Sequence, residues 1–342
     1  MLINEKVEKI SYSVIRTLYC KFYDFPEDAS NNRNAPFHEA FLNAFSNKLE
    51  GKVSDVPFFV SLASWFHGLN TSMGQSFFER VSHILCDGTK QEFKGLKISH
   101  EQQTCVSDII TELKNGTQSP DLARENALII ANNTIQDKIA SNFTADCFYE
   151  ETDKLVAIEL KTVKPNSGVF KNEKEKMLSA KAGLKNIHPT KEIIFFLGFP
   201  FDPLNNTKTG FDKNRFMNYS VDFKKYFALN EFLLADELWN FLSGDTNTMQ
   251  QLLDIINKIA TPQFIEKYDF LNNTNNKELF KDQYLSYLSD WNLFSEVVLI
   301  ENCETIKPKI AGRRNLIRVF NQPIFKDGNY NRERYNILES LI

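Results

Sequence analysis

Between Lys154 and Val163 the chain alternates with a period of two: Val156, Ile158 and Leu160 fall on one side of an extended strand, and Ala157, Glu159 and Lys161 on the other. The pattern predicts a strand with a buried apolar face, whose opposite face carries a carboxylate and an ammonium side by side at the edge of a cleft. Ahead of it, Glu150-Glu-Thr-Asp153 is too short and too polar to be anything but a turn. A hairpin centred there sets Asp146 opposite Glu159, near enough for the two carboxylates to interact.

Two ionised carboxylates held that close repel each other unless a cation lies between them. An oxygen-only donor set suits magnesium, which keeps several waters and takes further oxygens from a phosphate. The hairpin therefore points to magnesium-dependent hydrolysis of phosphodiesters. In that chemistry Asp146 and Glu159 hold Mg2+, and the main-chain carbonyl of Leu160, at the strand edge, adds a ligand. Lys161 orients or helps deprotonate the attacking water and stabilises the charged transition state. Spacing alone is also compatible with a surface hairpin of solvated charges, because short acid-x-Lys matches are common. The chain holds such a decoy, Glu112-Leu-Lys114 with Pro120-Asp121 after it. Cys105, Ile109, Ile110 and Leu113 recur at helical spacing there, so Glu112 and Lys114 belong to different faces of a helix and Asp121 follows them instead of preceding them.

The neighbourhood of the hairpin separates the two readings. Lys171 to Leu184 reads as a basic amphipathic helix, Glu192-Ile-Ile-Phe-Phe-Leu-Gly198 as a buried strand, and Met73 to Leu85 as a helix upstream. Thr162 to Gly168 reads as a strand end followed by a turn. The order helix, hairpin, helix, strand resembles the PD-(D/E)xK, or restriction-endonuclease-like, nucleases. Pro36-Phe-His38-Glu-Ala, Gly74-Gln-Ser-Phe-Phe-Glu79 and Ile158-Glu-Leu-Lys-Thr-Val-Lys-Pro-Asn166 resemble TdeIII-type type II restriction endonucleases more closely. The resemblance covers Pro36 to about Pro200. It matches Asp146, Glu159 and Lys161 to the catalytic triad, and Glu79 to an additional acid that helps bind the metal. It implies an α/β fold, a mixed β-sheet flanked by helices with helical additions at both ends. It further implies a homodimer that cuts double-stranded DNA at a short, GGNCC-like palindrome, with a DNA methyltransferase in the same system. The sequence departs from the motif at Ala145, where the family name places a proline; that proline supplies no ligand. A palindrome presents one half-site twice, which itself asks for a two-fold dimer.

Whole-chain properties set outer limits. A length of 342 residues permits one large or two moderate domains, and 30 phenylalanines read as core filling. A net charge of −4 gives no global attraction to DNA, so phosphate contacts have to come from local basic patches. The five cysteines form no Cys-x-x-Cys pair, and the five histidines no His-x-x-x-His set. These features predict a reduced, cytoplasmic protein without a structural zinc site. The first residues are too charged for a signal peptide, and no apolar run reaches membrane-spanning length.

Along the chain, residues 1–60 read as helical around a polar loop from Pro26 to Pro36, and residues 61–200 as the catalytic core with a helical insertion near 100–140. Residues 201–342 read as a mostly helical region for DNA recognition or dimerisation, helical from Leu229 to about Phe294, with a strand at Val297 to Ile300 and a basic tail. In that tail Arg313 and Arg314 are candidates for bidentate contact with guanine edges, against a default of solvated surface charge. Lys164, Asn166, Lys174 and Lys181, after the catalytic strand, are candidates for phosphate contact on the same footing. Two other functions fit the residues: a structure-specific or repair nuclease on the same core, and a DNA-binding protein that does not cut.

Overall fold

The computed structural model describes residues 1–342 apart from 28–35, 54–55, 131–134, 163–166 and 221. Contacts divide the chain into two compact units, one of residues 1–2 and 78–252 and the other of residues 3–77 and 253–342. The first and last stretches of sequence thus build one body, and the middle builds the other.

The middle unit is organised around a five-stranded sheet of β1 (Thr89–Phe93), β2 (Phe143–Glu150), β3 (Lys154–Leu160), β4 (Glu192–Phe199) and β5 (Phe232–Leu234), in that spatial order. The pairs β1–β2 and β2–β3 are antiparallel, while β3–β4 and β4–β5 are parallel. In the β2–β3 hairpin Cys147 faces Ile158 and Glu150 faces Leu155, so one further step of the register sets Asp146 against Glu159, the expected pair, with the turn centred on Thr152 and Asp153 and not on the middle of Glu150–Asp153. β3 is the middle strand, and burial extends to both of its faces: Leu155 and Ala157 are enclosed along with Val156 and Ile158. The single buried face expected from the pattern is therefore too simple, and polarity returns only at Glu159. Beside it, Gly198 on β4 lets the backbones approach. A Cβ there would lie 2.9 Å from the side chains of both Ile158 and Leu160.

Five helices of this unit matter for the site: α1 (Phe78–Cys86), α2 (His100–Asn115), α3 (Leu122–Leu128), α4 (Ser167–Ile187) and α5 (Asp236–Ser243). α2 starts with a reciprocal box in which the Ser99 hydroxyl accepts from the Gln102 N–H and the Gln102 side chain accepts from the Ser99 N–H. It ends at Gly116, whose φ of 70° suits the left-handed cap. The decoy Glu112 lies on this helix and pairs with Arg124 of α3. α4 crosses from β3 to β4 and packs on α2. Phe170, Phe199, Phe216, Phe223, Phe227 and Phe232 form one cluster in the core, with Phe170 and Phe223 stacked at 4.6 Å and the other rings meeting edge-on or tilted. Other phenylalanines do not fill core: Phe37 and Phe41 are 79% and 77% exposed.

Two expectations of secondary structure are corrected. Phe232 and Leu233 lie in β5 and not in a helix, because a three-residue strand is too short to show its period and α5 follows almost at once. Val297 to Ile300 lies inside the helix Phe294–Glu301 of the other unit. A short apolar run has no period that separates a strand from a buried helical turn.

The second unit is nearly all helical, with helices at Asn4–Phe22 and Val56–Ser72 and a succession from Phe264–Asn272 to Arg332–Glu339. Its interior holds an enclosed ion pair, Arg334 with Glu296 at 2.8 Å, and Tyr330 donates a hydrogen bond to the same carboxylate. No helix among the described residues is long and apolar enough to cross a membrane.

Candidate active site

The hairpin and α1 bring three acids to one end of the sheet. Asp146, on β2, accepts the Leu160 N–H through Oδ2 at 3.0 Å, which ties its carboxylate to the end of β3. His83, one turn after Glu79 on α1, donates from Nε2 to the Asp146 carbonyl at 2.7 Å in the tautomer that carries the proton there. α1 therefore fixes Asp146 through its backbone while offering Glu79 beside the Asp146 side chain. Lys161 continues the ladder past β3, its N–H donating to the Gly198 carbonyl at 2.8 Å, and its ammonium lies 2.7 Å from Glu159. The structure thus brings the candidates Asp146, Glu159, Leu160, Lys161 and Glu79 to one end of the sheet.

It adds three residues that sequence reading had not assigned a part. Glu173, in the second turn of α4, reaches Lys161 from the other side at 3.5 Å. Lys90 of β1 stands 3.1 Å from both carboxylate oxygens of Glu79 and 3.1 Å from Asp146 Oδ1. His83 is the third. Lys90 is placed by an irregularity in the ladder: Thr89 pairs with Phe148 and Gln91 with Ala145, so the single residue Lys90 faces two, Asp146 and Cys147, at a bulge in β2. The helical period from Glu79 to His83 was a readable signal, whereas nothing in the letters marks the bulge.

Burial sets the charge states. It pushes the Glu159 carboxyl up to about 7; the Lys161 ammonium opposes this, and the negative charges of Asp146 and Glu173 add to it. Burial pulls Lys161 down, but Glu159 and Glu173 more than reverse that and leave it raised, so it is an ammonium at neutral pH.

The donor set fits a hard divalent cation: it is all oxygen, and two acids sit on facing strand positions, one step along the register from Cys147 and Ile158. Among the described residues no three acids converge on a single point. The ammoniums of Lys90 and Lys161 lie between them instead.

Two expected DNA contacts are corrected. The Lys174 side chain is 1% exposed and pairs inside the fold with Glu125 of α3 and, at 2.5 Å, with Glu231. Lys181 is likewise buried, donates to Asn126 at 2.9 Å, and is pulled down to about 8 by desolvation. Neither reaches the surface. A basic helix shows how many lysines it has, but not which of them finds buried carboxylates from distant segments. Lys164 and Asn166 lie outside the described residues. Arg313 and Arg314 are exposed, in the second unit, where Gly312 turns the chain into the helix Arg314–Phe320.

Comparison with known proteins agrees with a nuclease. Residues 2–260 match the family described as "Type II restriction endonuclease, HinfI". The chain is also 40% identical over 349 residues to the "Type II restriction enzyme MjaII" of Methanocaldococcus jannaschii, covering 96% of this chain and 94% of that protein. The match is to HinfI-type enzymes, where the short motifs resembled TdeIII-type ones. The chain belongs to the HinfI family of type II restriction endonucleases.

Proposed function

We propose that this restriction endonuclease is a magnesium-dependent enzyme of the PD-(D/E)xK kind, with Asp146, Glu159 and Lys161 as its catalytic residues. The observation that carries the reading is the tie between Asp146 and the end of β3, which holds both strand acids and the lysine at one edge. Asp146 and Glu159 bind the metal, with the Leu160 carbonyl and Glu79 as further ligands. Bound magnesium supplies a water of lowered pKa and neutralises charge growing on the phosphate. Lys161, a cation at working pH, orients the anionic phosphate and stabilises its added charge, while Glu173 holds the ammonium in place from α4. His83 is a positioning residue acting through the Asp146 backbone.

The substrate is double-stranded DNA with a short palindromic site, GGNCC-like by the motif resemblance. It is cut by a homodimer in the cytoplasm, where a methyltransferase of the same system protects the host. Arg313 and Arg314 are exposed and fit phosphate or guanine contact. Removing both is expected to weaken duplex binding and to lower the salt slope by about 2, as read by fluorescence anisotropy at several salt concentrations. An unchanged slope would exclude them from phosphate contact.

Plasmid digestion with purified protein and MgCl2, followed by mapping of the ends, tests the whole reading. Discrete fragments with one shared end sequence are expected. Degradation that starts from ends or junctions would replace it with a repair nuclease on the same core.

A further inference from the structure

Lys90 differs from the other lysines of the site. Lys161 is 20% exposed, and its hydrogen bond to Glu159 lies next to it on its own strand end. Lys174 is sealed in the core at 1%. Lys90 is 50% exposed, on an edge strand, and its ammonium joins two acids from two different elements, Glu79 of α1 and Asp146 of β2. The bulge in β2, where Asp146 and Cys147 together face Lys90, brings the ammonium to that gap.

An ammonium at 3.1 Å from carboxylate oxygens on both sides occupies the position of a bridging cation. Without it the two carboxylates would face one another with no positive charge between them. Half-exposed ion pairs are screened and weak, so such a counter-ion is exchangeable. The flexible four-carbon stem of lysine lets the ammonium move without moving the strand. A displaced ammonium beside a phosphodiester site has an evident new partner in the DNA backbone.

We propose that Lys90 is a place-holding counter-ion, which bridges Glu79 and Asp146 when no metal is bound and is released to a DNA phosphate when a divalent cation takes its place. The inference rests on the assignment of Asp146 and Glu79 as metal ligands. It makes the lysine a competitor of the metal in the free enzyme and a contributor to DNA binding once the metal is in. Metal and DNA then bind cooperatively, and the coupling is reciprocal. The free enzyme stays poorly loaded and fills its site on the duplex.

Calorimetric titration of the full-length protein with MgCl2, without DNA, provides the test. Lys90→Met is expected to bind magnesium about tenfold more tightly than the parent, and Lys90→Arg, which keeps the charge, to stay close to it. In the presence of a 20-base-pair duplex that end mapping shows to lack the cut site, the parent is expected to gain magnesium affinity and Lys90→Met to lose that gain. Circular dichroism of each variant shows whether it is folded, and Lys90→Gln replaces any methionine variant that is not. Asp146→Asn separates the two levels of the reading. If it abolishes magnesium binding while Lys90→Met binds no more tightly than the parent, the place-holder is overturned and the metal site stands. If it binds magnesium as the parent does, the metal site falls and the place-holder falls with it.

Discussion

Asp146→Ala is expected to lower the cleavage rate by on the order of 10^3-fold or more, with duplex binding retained. Such a loss corresponds to roughly 4 kcal/mol of transition-state stabilisation, more than any single surface contact contributes. The side chain has three neighbours whose loss has to be told apart. Its Oδ2 accepts the Leu160 N–H, its Oδ1 faces Lys90, and its charge lies next to Glu159. Asp146→Asn keeps the shape and an oxygen for Leu160 but removes the charge. If the role is metal binding, the asparagine variant is as inactive as the alanine variant, and its thermal midpoint stays closer to the parent. If only the tie to β3 mattered, asparagine would restore cutting. Gel assays of a mapped plasmid measure the rate, and anisotropy with a labelled duplex measures binding. Normal cutting by Asp146→Ala would remove the active-site assignment altogether.

Lys174→Met is expected to destabilise the protein by about 3–5 kcal/mol. The lysine is the shared counter-ion of Glu125 and Glu231, and all three are enclosed. Removing it leaves two carboxylates in a low-dielectric interior. Burial already pushes Glu125 up even with the lysine present. For a unit of this size the loss translates into a fall in thermal midpoint of roughly 6–20 °C. A variant that also carries Glu125→Gln and Glu231→Gln has no uncompensated charge and is expected to recover most of the midpoint. Scanning calorimetry on the two variants decides the matter, since an unchanged midpoint for Lys174→Met would mean that the triad is not a fixed ion cluster. The triad also bears on the proposed site. Lys174 adjoins Glu173, so the anchor that fixes this turn of α4 also presents the carboxylate that meets Lys161.

The hairpin could be read from the letters because alternation, a polar turn and facing acids are all local. The register from Cys147 to Ile158 is set by a turn of three residues, and a local pattern specifies such a turn well. The parts that escaped reading depend on distant chain. Whether Lys174 faces water or core depends on Glu125, on another helix, and on Glu231, just before β5. Lys90 reaches the site through a one-residue slip in its ladder, which leaves no compositional trace. β5 escaped because three residues carry no period. The grouping of residues 3–77 with 253–342 escaped because packing between the two ends of a chain leaves no mark in either.

That grouping has a consequence for how the chain emerges during synthesis. The unit carrying every candidate catalytic residue is almost one continuous stretch, 78–252, while the other is split into a part made before it and a part made after it. Domains fold as units as they are made, at about 5–20 residues per second. The unit of residues 78–252 can therefore close while residues 253–342 are still being added. For roughly 13–53 s, while residues 78–342 are added, the earlier part of the other unit waits without its mate. Ile10, Val14 and Ile15, buried in the folded protein, lie in that waiting segment, so the interval is when the nascent chain is most open to unwanted association.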